Sequence, residues 1–519
     1  MRTPWWFGVS SGSFRHARDR FGMRDLVSRL QDNIANILWC GAIAAAAVAI
    51  AFLPLTITTA ALAGAAVVLL TLIRPHYALY GLALAIPFGS LREFQLGPVS
   101  LGGAEAMGLL VAAAWLLRVL ALREPVRWRA PLTWALGLFL FVGLVSALGA
   151  LSLGHTLKEL LRWGEVLVIF IAAGNLLTGR RAAIAVGFLL LGAALEGLLG
   201  AYQFLRQAGP PGFVLFGRFM RAYGTFEQPN PYAGYLALLL PVGVALILAP
   251  LAAWREAFGR VRVRIAAWVW AAGASGLALA GIVMSWSRGA WIGMAASIST
   301  VILLRGKRWA AALVVAALIV TIGLGGSALN LLPPSIVERF ADIGTYFKPF
   351  DVRTVEVDDA NWALVERMAH WQAGWAMFSD RPWLGVGFGN YEAVYPAYAI
   401  GIWQDPLGHA HNYYVNIAAE AGLAGLLAYM LVLAAAFAQT GRAWARSSGL
   451  SRAICAGVIG MLIHLCVHNF VDNLYVHGMN MLVAMALGIA WALGDEQLTA
   501  ERNLNPRITR IHANNSGDS

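Results

Sequence analysis

Residues 180–203 read RRAAIAVGFLLLGAALEGLLGAYQ, in which two arginines precede a long apolar run broken by a single acid. A helix needs about 20 apolar residues to cross a bilayer, and positive residues favour the cytoplasmic side. The stretch therefore predicts a transmembrane helix with its arginine end inside. The whole chain has this character, since 59% of its 519 residues are hydrophobic, 13% are charged and the mean hydropathy is +0.66. Soluble domains have about 25% charged residues, so a soluble enzyme is excluded and an all-α polytopic membrane protein is predicted.

Similar apolar windows recur along the chain and predict a bundle of about 12–14 spans. The candidates are 37–53, 55–73, 76–89, 99–117, 131–151, 157–177, 182–203, 229–253, 265–285, 289–304, 309–328, 413–437, 453–470 and 476–494.

The distribution of charge predicts how these spans are oriented. When they alternate from a cytoplasmic N-terminus, the inner side receives 26 Lys and Arg and nine acids, a net 26 − 9 = +17. The outer side receives 12 Lys and Arg and 18 acids, a net 12 − 18 = −6, and the two sum to the total of +11. The 26:12 split of basic residues predicts that both termini are cytoplasmic. The net positive charge is thus explained by orientation, and we expect no nucleic-acid partner.

The predicted spans and their orientation divide the chain into five parts. They are a basic cytoplasmic segment (1–35), a first part of the bundle (36–328), an extracytoplasmic loop domain (329–412), a last part of the bundle (413–495) and a cytoplasmic tail expected to be disordered (496–519). Within the loop, residues 361–378 predict a helix that ends before Pro382, because the residue before proline disfavours helical geometry. Residues 385–389, GVGFG, predict a flexible turn.

Polar residues at the outer face are the candidates for function, because such groups are costly near lipid. Asn230, between two prolines, is either the cap of a helix or a contact to sugar or phosphate. Arg288 either extends to lipid headgroups or binds an anion in a cavity, for which its planar fork is suited. Arg367 is either part of a surface ion pair or part of a site.

Histidines near the outer boundary offer a base. His409 and His411 could be metal ligands, but their spacing matches no recognisable metal site, so we predict no metal; His411 can instead serve as a general base. His464, His468, Asp472 and His477 cluster around the last outer turn, where Asp472 either fixes the tautomer of an imidazole or belongs to a polar patch between helices. No GxxxxGK[ST] motif occurs, which argues against ATP-driven chemistry.

Four stretches carry a family resemblance. They are GTFEQPNPYAGYL (224–236), SRGAWIG (287–293), RMAHWQAGWAMFSDRPWLGVGFGNY (367–391) and HAHNYYVNIAAEAGLAG (409–425). His411-Asn412, nine residues, Gly422, two residues and Gly425 fit the H-N-x9-G-x-x-G pattern associated with O-antigen ligases. Over roughly residues 220–480 the chain resembles the superfamily of O-antigen ligases and Wzy-type polymerases.

The resemblance implies a GT-C-like bundle in the bacterial cytoplasmic membrane, with its active site on the outer, periplasmic face. Such enzymes transfer a glycan from an undecaprenyl-diphosphate donor to a glycan or lipid-core acceptor, and ligase-type members are thought to act without a metal ion. It implies that Arg288 and Arg367 hold the diphosphate and that His411 is the catalytic base, with inversion at the anomeric carbon. We expect substrate contacts from Asn230, Glu227, Asn412, His409, Asp472 and His468. Membrane lipids are the only other expected partners, and no cofactor is expected.

Three other functions fit the same sequence. A Wzy-type polymerase would extend lipid-linked repeat units, and a protein oligosaccharyltransferase would transfer the glycan to a protein. A transporter or flippase of lipid-linked glycans would also have many spans and buried arginines, although transporters usually contain repeats and charges at the membrane midplane.

Overall fold

The computed structural model describes residues 54–91, 94–96, 99–215, 217–309, 311, 350–358 and 361–504. The predicted spans 37–53 and 309–328, the N-terminal segment 1–35, the tail beyond residue 504 and the first part of the outer loop lie outside these residues or almost entirely so.

The described chain is helical, with two short hairpins. The helices are α1 (Leu55–Ile73), α2 (His76–Phe88), α3 (Gly103–Leu122), α4 (Pro131–Ser146), α5 (Leu153–Leu176), α6 (Gly179–Arg206), α7 (Pro229–Ile247), α8 (Arg255–Phe258), α9 (Val261–Met284), α10 (Arg288–Leu303), α11 (Trp362–Asp380), α12 (Tyr391–Val394), α13 (Tyr413–Arg446), α14 (Gly449–His468) and α15 (Met479–Leu504). The antiparallel hairpins pair β1 (Phe94–Leu96) with β2 (Val99–Leu101) and β3 (Val214–Leu215) with β4 (Phe219–Met220).

Each of the other twelve predicted spans overlaps one helix of the described chain. Among the described residues, eight helices are long and apolar enough to cross a membrane. The structure therefore confirms an all-α polytopic membrane protein. Large apolar side chains exposed on the helices, such as Leu120, Leu148 and Leu205, are those expected to face lipid.

Helix α7 lies at the centre of the helices that form the site. It packs against α6, α9, α10 and α14, and 78% of its most apolar window is buried, against 22% for the peripheral α3. Its first turn starts at Pro229, directly after the loop that carries Glu227. Burial of α7 therefore fixes where the chain between α6 and α7 enters the bundle.

The outer loop ends in a segment that packs against a break in α13. The segment 385–389 was predicted to be a flexible turn, but Val386 N–H donates to the carbonyl of Ala419 (2.9 Å) and Gly387 N–H donates to that of Glu420 (2.9 Å). Helix α13 is interrupted nearby at Gly422, whose φ of 64° and ψ of −162° are not helical. The two backbones pass so closely that a Cβ on Gly422 would overlap the carbonyl carbon of Trp383. The turn prediction was wrong about flexibility, because glycine here serves close packing.

We expect Gly422→Ala to lower the free energy of unfolding by more than about 1 kcal/mol, because alanine disfavours a positive φ and its Cβ would displace the loop. Thermal unfolding of the purified protein measures this. Gly441→Ala, in the same helix and with no atom within 4 Å of the new Cβ, is the matched control and should be neutral or slightly stabilising. Equal melting temperatures for the two variants would contradict the packing argument.

Candidate active site

Two cavities adjoin at one end of the helices. The larger has a volume of about 650 Å³ and the smaller about 380 Å³. Asn230, Ala363, Arg367 and Asp472 line both of them. Of the predicted residues, Glu227, His409 and His411 line the larger cavity, and Arg288 and His468 line the smaller.

The pair at the centre of this region is His411 with Asp472. Nδ1 of His411 lies 3.3 Å from Oδ1 of Asp472. Because an ionised carboxylate can only accept, Nδ1 is the donor in this contact, and in the neutral imidazole this tautomer has its lone pair on Nε2. Within the described part of the chain, Nε2 has no hydrogen-bond partner. An imidazole oriented in this way by a carboxylate has the form of a general base.

Asp472 is ionised in this setting. Burial alone would raise the pKa of its carboxyl group, but the hydrogen bond from His411 and the positive charge of Arg367 lower that pKa well below its usual range. The carboxylate also accepts from the backbone N–H of Asn473 at 3.0 Å. The histidine that Asp472 contacts is His411, and not one of the histidines of the last outer turn.

The loop helix α11 brings Arg367 to this pair. Its Nη1 donates to the carbonyl of Ala363 at 3.0 Å, and its Nη2 lies 4.0 Å from Oδ2 of Asp472. Four residues further along, Trp371 Nε1 donates to the carbonyl of His411 at 3.1 Å. The helix thus holds the backbone of the candidate base and places a guanidinium beside its carboxylate. The surface ion pair considered for Arg367 is not what the structure shows, because its side chain is only 15% exposed.

The smaller cavity is basic. Its charged lining residues are Arg221, Arg288, Arg367 and Asp472, a net 3 − 1 = +2. Arg221 donates from Nε to the carbonyl of Ser285 (2.8 Å) and from Nη2 to Oδ1 of Asn230 (2.9 Å). Three guanidinium groups around one cavity suit an anion with several oxygens.

The segment before α7 is held by buried polar groups. Glu196, fully buried in α6, accepts hydrogen bonds from the N–H (3.0 Å) and the Oγ1 hydroxyl (2.7 Å) of Thr225. The side-chain amide of Gln203 donates to the carbonyl of Gly224 and accepts from its N–H. The prediction that Asn230 caps a helix is wrong, because α7 begins at Pro229 and its N-cap residue is Gln228. Asn230 lies inside the first turn, where its amide oxygen is bound by Arg221.

Three other predicted contacts have structural partners. Asn412 caps α13 by accepting from the backbone N–H groups of Tyr414 (3.0 Å) and Val415 (3.1 Å), and it lines neither cavity. His409 accepts the backbone N–H of His411 at 3.0 Å through Nδ1. His468 bonds His464 at 3.2 Å between Nδ1 and Nε2, as in the interhelical patch considered from sequence.

Backbone strain is concentrated at the larger cavity. Seven described residues other than glycine have a positive φ, and four of them line it: Glu227, Leu407, His411 and His477. Such conformations cost free energy and cluster at functional sites. At His411, with φ of 50°, the strain aims the imidazole at Asp472.

Sequence reasoning missed two sets of site residues. Arg221 precedes the Gly224–Pro231 segment and could have been found as a basic residue next to a candidate motif. His155, Lys158, Glu159 and Arg162 line the larger cavity from α5. Their signal was a set of polar residues at the start of the predicted span 157–177 and just before it, at the i, i+3, i+4, i+7 spacing of one helix face.

The same geometry offers a cation site that the sequence spacing did not suggest. His409, His411 and Asp472 each provide one ligand atom, and these atoms lie within 4.8 Å of one another. The prediction of no metal rested on the lack of a recognisable metal-ligand spacing around His409 and His411, whereas Asp472 lies 61 residues further along the chain from His411. Arg367 beside Asp472 supplies positive charge at this position already.

The loop helix contains a histidine that is neutral in the folded protein. His370 is 1% exposed, stacks on Tyr395 with 4.6 Å between ring centroids, and contacts the hydroxyl of Tyr391 at 3.1 Å. Burial, and then the charge of His411, lowers the pKa of His370 from 6.5 to about 4. Burial likewise lowers the pKa of His409 to about 3.

We expect the protein to lose stability as the pH falls from about 6.5 to 4. In this window the unfolded chain binds protons at His370 that the folded chain does not bind, so the free energy of unfolding decreases. Melting temperatures measured from pH 8 to 4.5 test this, with His370→Asn as the comparison. The variant should be less stable at pH 8 and show a weaker loss on acidification; an unchanged pH profile in His370→Asn would contradict the assignment.

Comparison with known proteins gives one family match. The family model Wzy_C, described as O-antigen ligase, matches residues 273–430. This range contains Arg288, Arg367 and His411, whereas Asn230 and Asp472 lie outside it. No curated protein matches the chain significantly.

A solved structure is similar in part. One chain of the structure described as "Structural coordination of polymerization and crosslinking by a peptidoglycan synthase complex" is 18% identical, with 72% of this chain and 98% of that chain covered and a TM-score of 0.38. The family match includes three of the candidate site residues, Arg288, Arg367 and His411. Residues 273–430 are thus similar to the O-antigen ligase family, and this match supports the resemblance of the chain to the O-antigen ligase and Wzy superfamily.

Proposed function

We propose that the protein is an inverting glycosyltransferase of the O-antigen ligase type. It transfers a glycan from an undecaprenyl-diphosphate-linked donor to a hydroxyl of a glycan or lipid-core acceptor. The observation that carries the proposal is the 3.3 Å contact of His411 Nδ1 with Asp472 Oδ1, which leaves Nε2 as a base beside a basic cavity.

In this mechanism Nε2 of His411 takes the proton of the acceptor hydroxyl. The acceptor oxygen then attacks the anomeric carbon from the face opposite the diphosphate, so that the new glycosidic bond forms with inversion. The bond from the anomeric carbon to the diphosphate oxygen breaks, and its electron pair leaves with undecaprenyl diphosphate. Asp472 stabilises the imidazolium that results.

Arg288, Arg367 and Arg221 stabilise the leaving group. Negative charge develops on the diphosphate as the bond breaks, and preorganised positive groups aimed at developing charge are usually the largest catalytic effect. The loop helix α11 contributes both by supplying Arg367 and by covering the larger cavity from the side of Ala363, Glu366 and Arg367. Covering the site also keeps out water that would hydrolyse the donor.

The location of these residues in the helices supports an active site on the outer face. Helices α5, α7, α10 and α13 contribute from their N-terminal parts, and α14 contributes from its last turn. Their opposite ends lead to the basic loops predicted to be cytoplasmic, for example Arg305 after α10 and Arg442 near the end of α13. We therefore propose that the cavities open at the periplasmic side of the cytoplasmic membrane and that both termini are cytoplasmic.

The direct test supplies the purified full-length protein with labelled lipid-linked donor and a total glycolipid extract of the cell envelope. A single transfer to glycolipid supports the ligase, a ladder of products indicates a polymerase, and a labelled protein in a crude extract indicates protein glycosylation. Movement of donor across vesicle membranes without any new glycosidic bond would support a transporter and refute the proposal. EDTA should leave the rate unchanged; loss of transfer with EDTA and rescue by a divalent ion would assign His409, His411 and Asp472 to a metal.

We expect His411→Gln to lower kcat by about 10²- to 10⁴-fold, because proton transfer by a positioned base contributes that much. Asp472→Asn should also lower kcat by at least about 10-fold, since an amide can stabilise neither the required tautomer nor the imidazolium. Single-turnover assays with labelled donor measure both. Full activity in His411→Gln would refute its role as base, and retained melting temperatures would show that the losses are not due to unfolding.

We expect Arg288→Lys and Arg367→Lys each to lower kcat by at least about 10-fold, because lysine keeps the charge but loses the bidentate fork. Arg353→Lys is the matched control: this arginine is 69% exposed, pairs with Asp351 at 3.7 Å and lines neither cavity of the site. Equal activity in all three variants would remove the arginines from the reaction.

A further inference from the structure

Helix α5 lines the larger cavity but not the smaller, basic one. His155, Lys158, Glu159 and Arg162 lie along one face of this helix and all line the cavity. Glu159 is fixed by two neighbours, Arg162 Nη1 at 2.7 Å and Trp163 Nε1 at 3.1 Å. A membrane helix that places four polar residues in a cavity offers a surface for a polar ligand.

The two cavities differ in the sign of their charge. Six acids and three bases line the larger cavity, and without Glu420, which is buried in α13, the charged groups are five acids and three bases, a net 3 − 5 = −2 with histidines neutral. The acids are Glu159, Glu227, Glu366, Glu392, Glu420 and Asp472. The smaller cavity has a net +2. A phosphate or carboxylate group is attracted to the smaller cavity and repelled by the larger one.

A buried hydroxyl in the larger cavity points independently to a ligand. Tyr413 is 2% exposed and lines this cavity, and its hydroxyl has no hydrogen-bond partner within the described part of the chain. Its ring is packed between Tyr429 and Tyr475, at centroid distances of 5.0 and 4.6 Å. These contacts pack the ring in place, and a buried polar group left unsatisfied is costly. A hydroxyl of a bound molecule would satisfy it.

We propose that the larger cavity is the acceptor subsite and that it selects an uncharged, hydroxyl-rich sugar. This inference rests on the proposed function, in which the donor diphosphate occupies the smaller, basic cavity. Carboxylates accept hydrogen bonds from sugar hydroxyls, and such charge-assisted bonds are strong, while the same carboxylates repel a phosphorylated or acidic sugar. The two substrates meet where the cavities share Asn230, Arg367 and Asp472, next to the base.

The volume of the larger cavity fits this role. About 650 Å³ lies within the range of about 300 to 1,000 Å³ found for small-molecule sites. The sugar that carries the accepting hydroxyl must reach Nε2 of His411, which lines the same cavity. Selection therefore acts on the accepting sugar and its immediate neighbours, and more distant parts of the acceptor remain outside it.

The Tyr413 hydroxyl provides the sharpest test. Tyr413→Phe removes only an oxygen without a protein partner, so we expect the KM for the acceptor to rise about 3- to 10-fold while kcat and the melting temperature stay unchanged. Tyr414→Phe is the matched control: its hydroxyl donates to the carbonyl of Cys466 at 2.9 Å, so its loss should lower the melting temperature and leave KM unchanged. An unchanged KM in Tyr413→Phe would overturn the subsite.

The chemistry of the acceptor is tested by the product of the labelled-donor assay. Mass spectrometry of that product should show a new bond to a sugar without phosphate or carboxylate. The double variant Glu366→Lys and Glu392→Lys should raise the acceptor KM about 10-fold or more at unchanged kcat, whereas Glu356→Lys, an exposed loop acid outside both cavities, should have no effect. Absence of any product would refute the proposed function itself. Transfer to a phosphorylated or acidic sugar, or an unchanged KM in the double variant, would refute only this inference.

Discussion

The contact between His411 and Asp472 is the interaction on which the candidate site depends. It joins the end of the outer loop to the turn between α14 and α15, 61 residues apart in the chain. The loop helix contacts both members of the pair: Trp371 donates a hydrogen bond to the carbonyl of His411, and Arg367 lies beside Asp472. A positive φ at His411 is tolerated only because these contacts over-determine its position. The candidate site is therefore complete only when the loop helix is packed beside His411 and Asp472.

The second constraint is the separation of charge across this pair. On one side, three arginines line a small cavity in which a single carboxylate, Asp472, is shared with the base. On the other, a larger cavity has an excess of carboxylates and a buried tyrosine hydroxyl without a partner in the described chain. A transfer reaction requires one substrate that leaves as an anion and one that arrives as a neutral nucleophile. In the proposed reaction the anion lies in the basic cavity and the uncharged nucleophile lies in the acidic one, with the base at the boundary.

The sequence was sufficient for the fold and for part of the site. Apolar windows such as 182–203 predict helices because a bilayer leaves the chain no other way to satisfy its backbone, and a helix overlaps each of the twelve predicted spans that the structure describes. The place of Arg367 in the candidate site could not be predicted from the neighbouring sequence, because its side chain lies near Asp472 only when the loop is packed against the helices. The prediction for the Gly385–Gly389 segment was wrong for a similar reason. Glycine in a sequence is compatible either with a flexible backbone or with close packing of two backbones. Only the folded structure, in which this segment packs beside the break at Gly422, distinguishes the two. Glu159 and Arg162 were overlooked because a span is expected to be apolar, and the stripe they form has meaning only beside a cavity.

The position of the charged lining residues along the helices argues for chemistry at one face over transport through the bundle. His155 to Arg162 occupy the start of α5, Arg288 opens α10, and Asp472 lies in the turn after α14. A carrier for a lipid-linked glycan must offer polar contacts along a path that reaches both membrane faces, and such sites usually centre on the midplane. Here the arginines that suit a diphosphate, the base and the carboxylates lie within two adjoining cavities at the same ends of their helices. A substrate bound there can react without crossing the membrane, and the buried apolar middle of α7 separates the site from the basic loops at the other side.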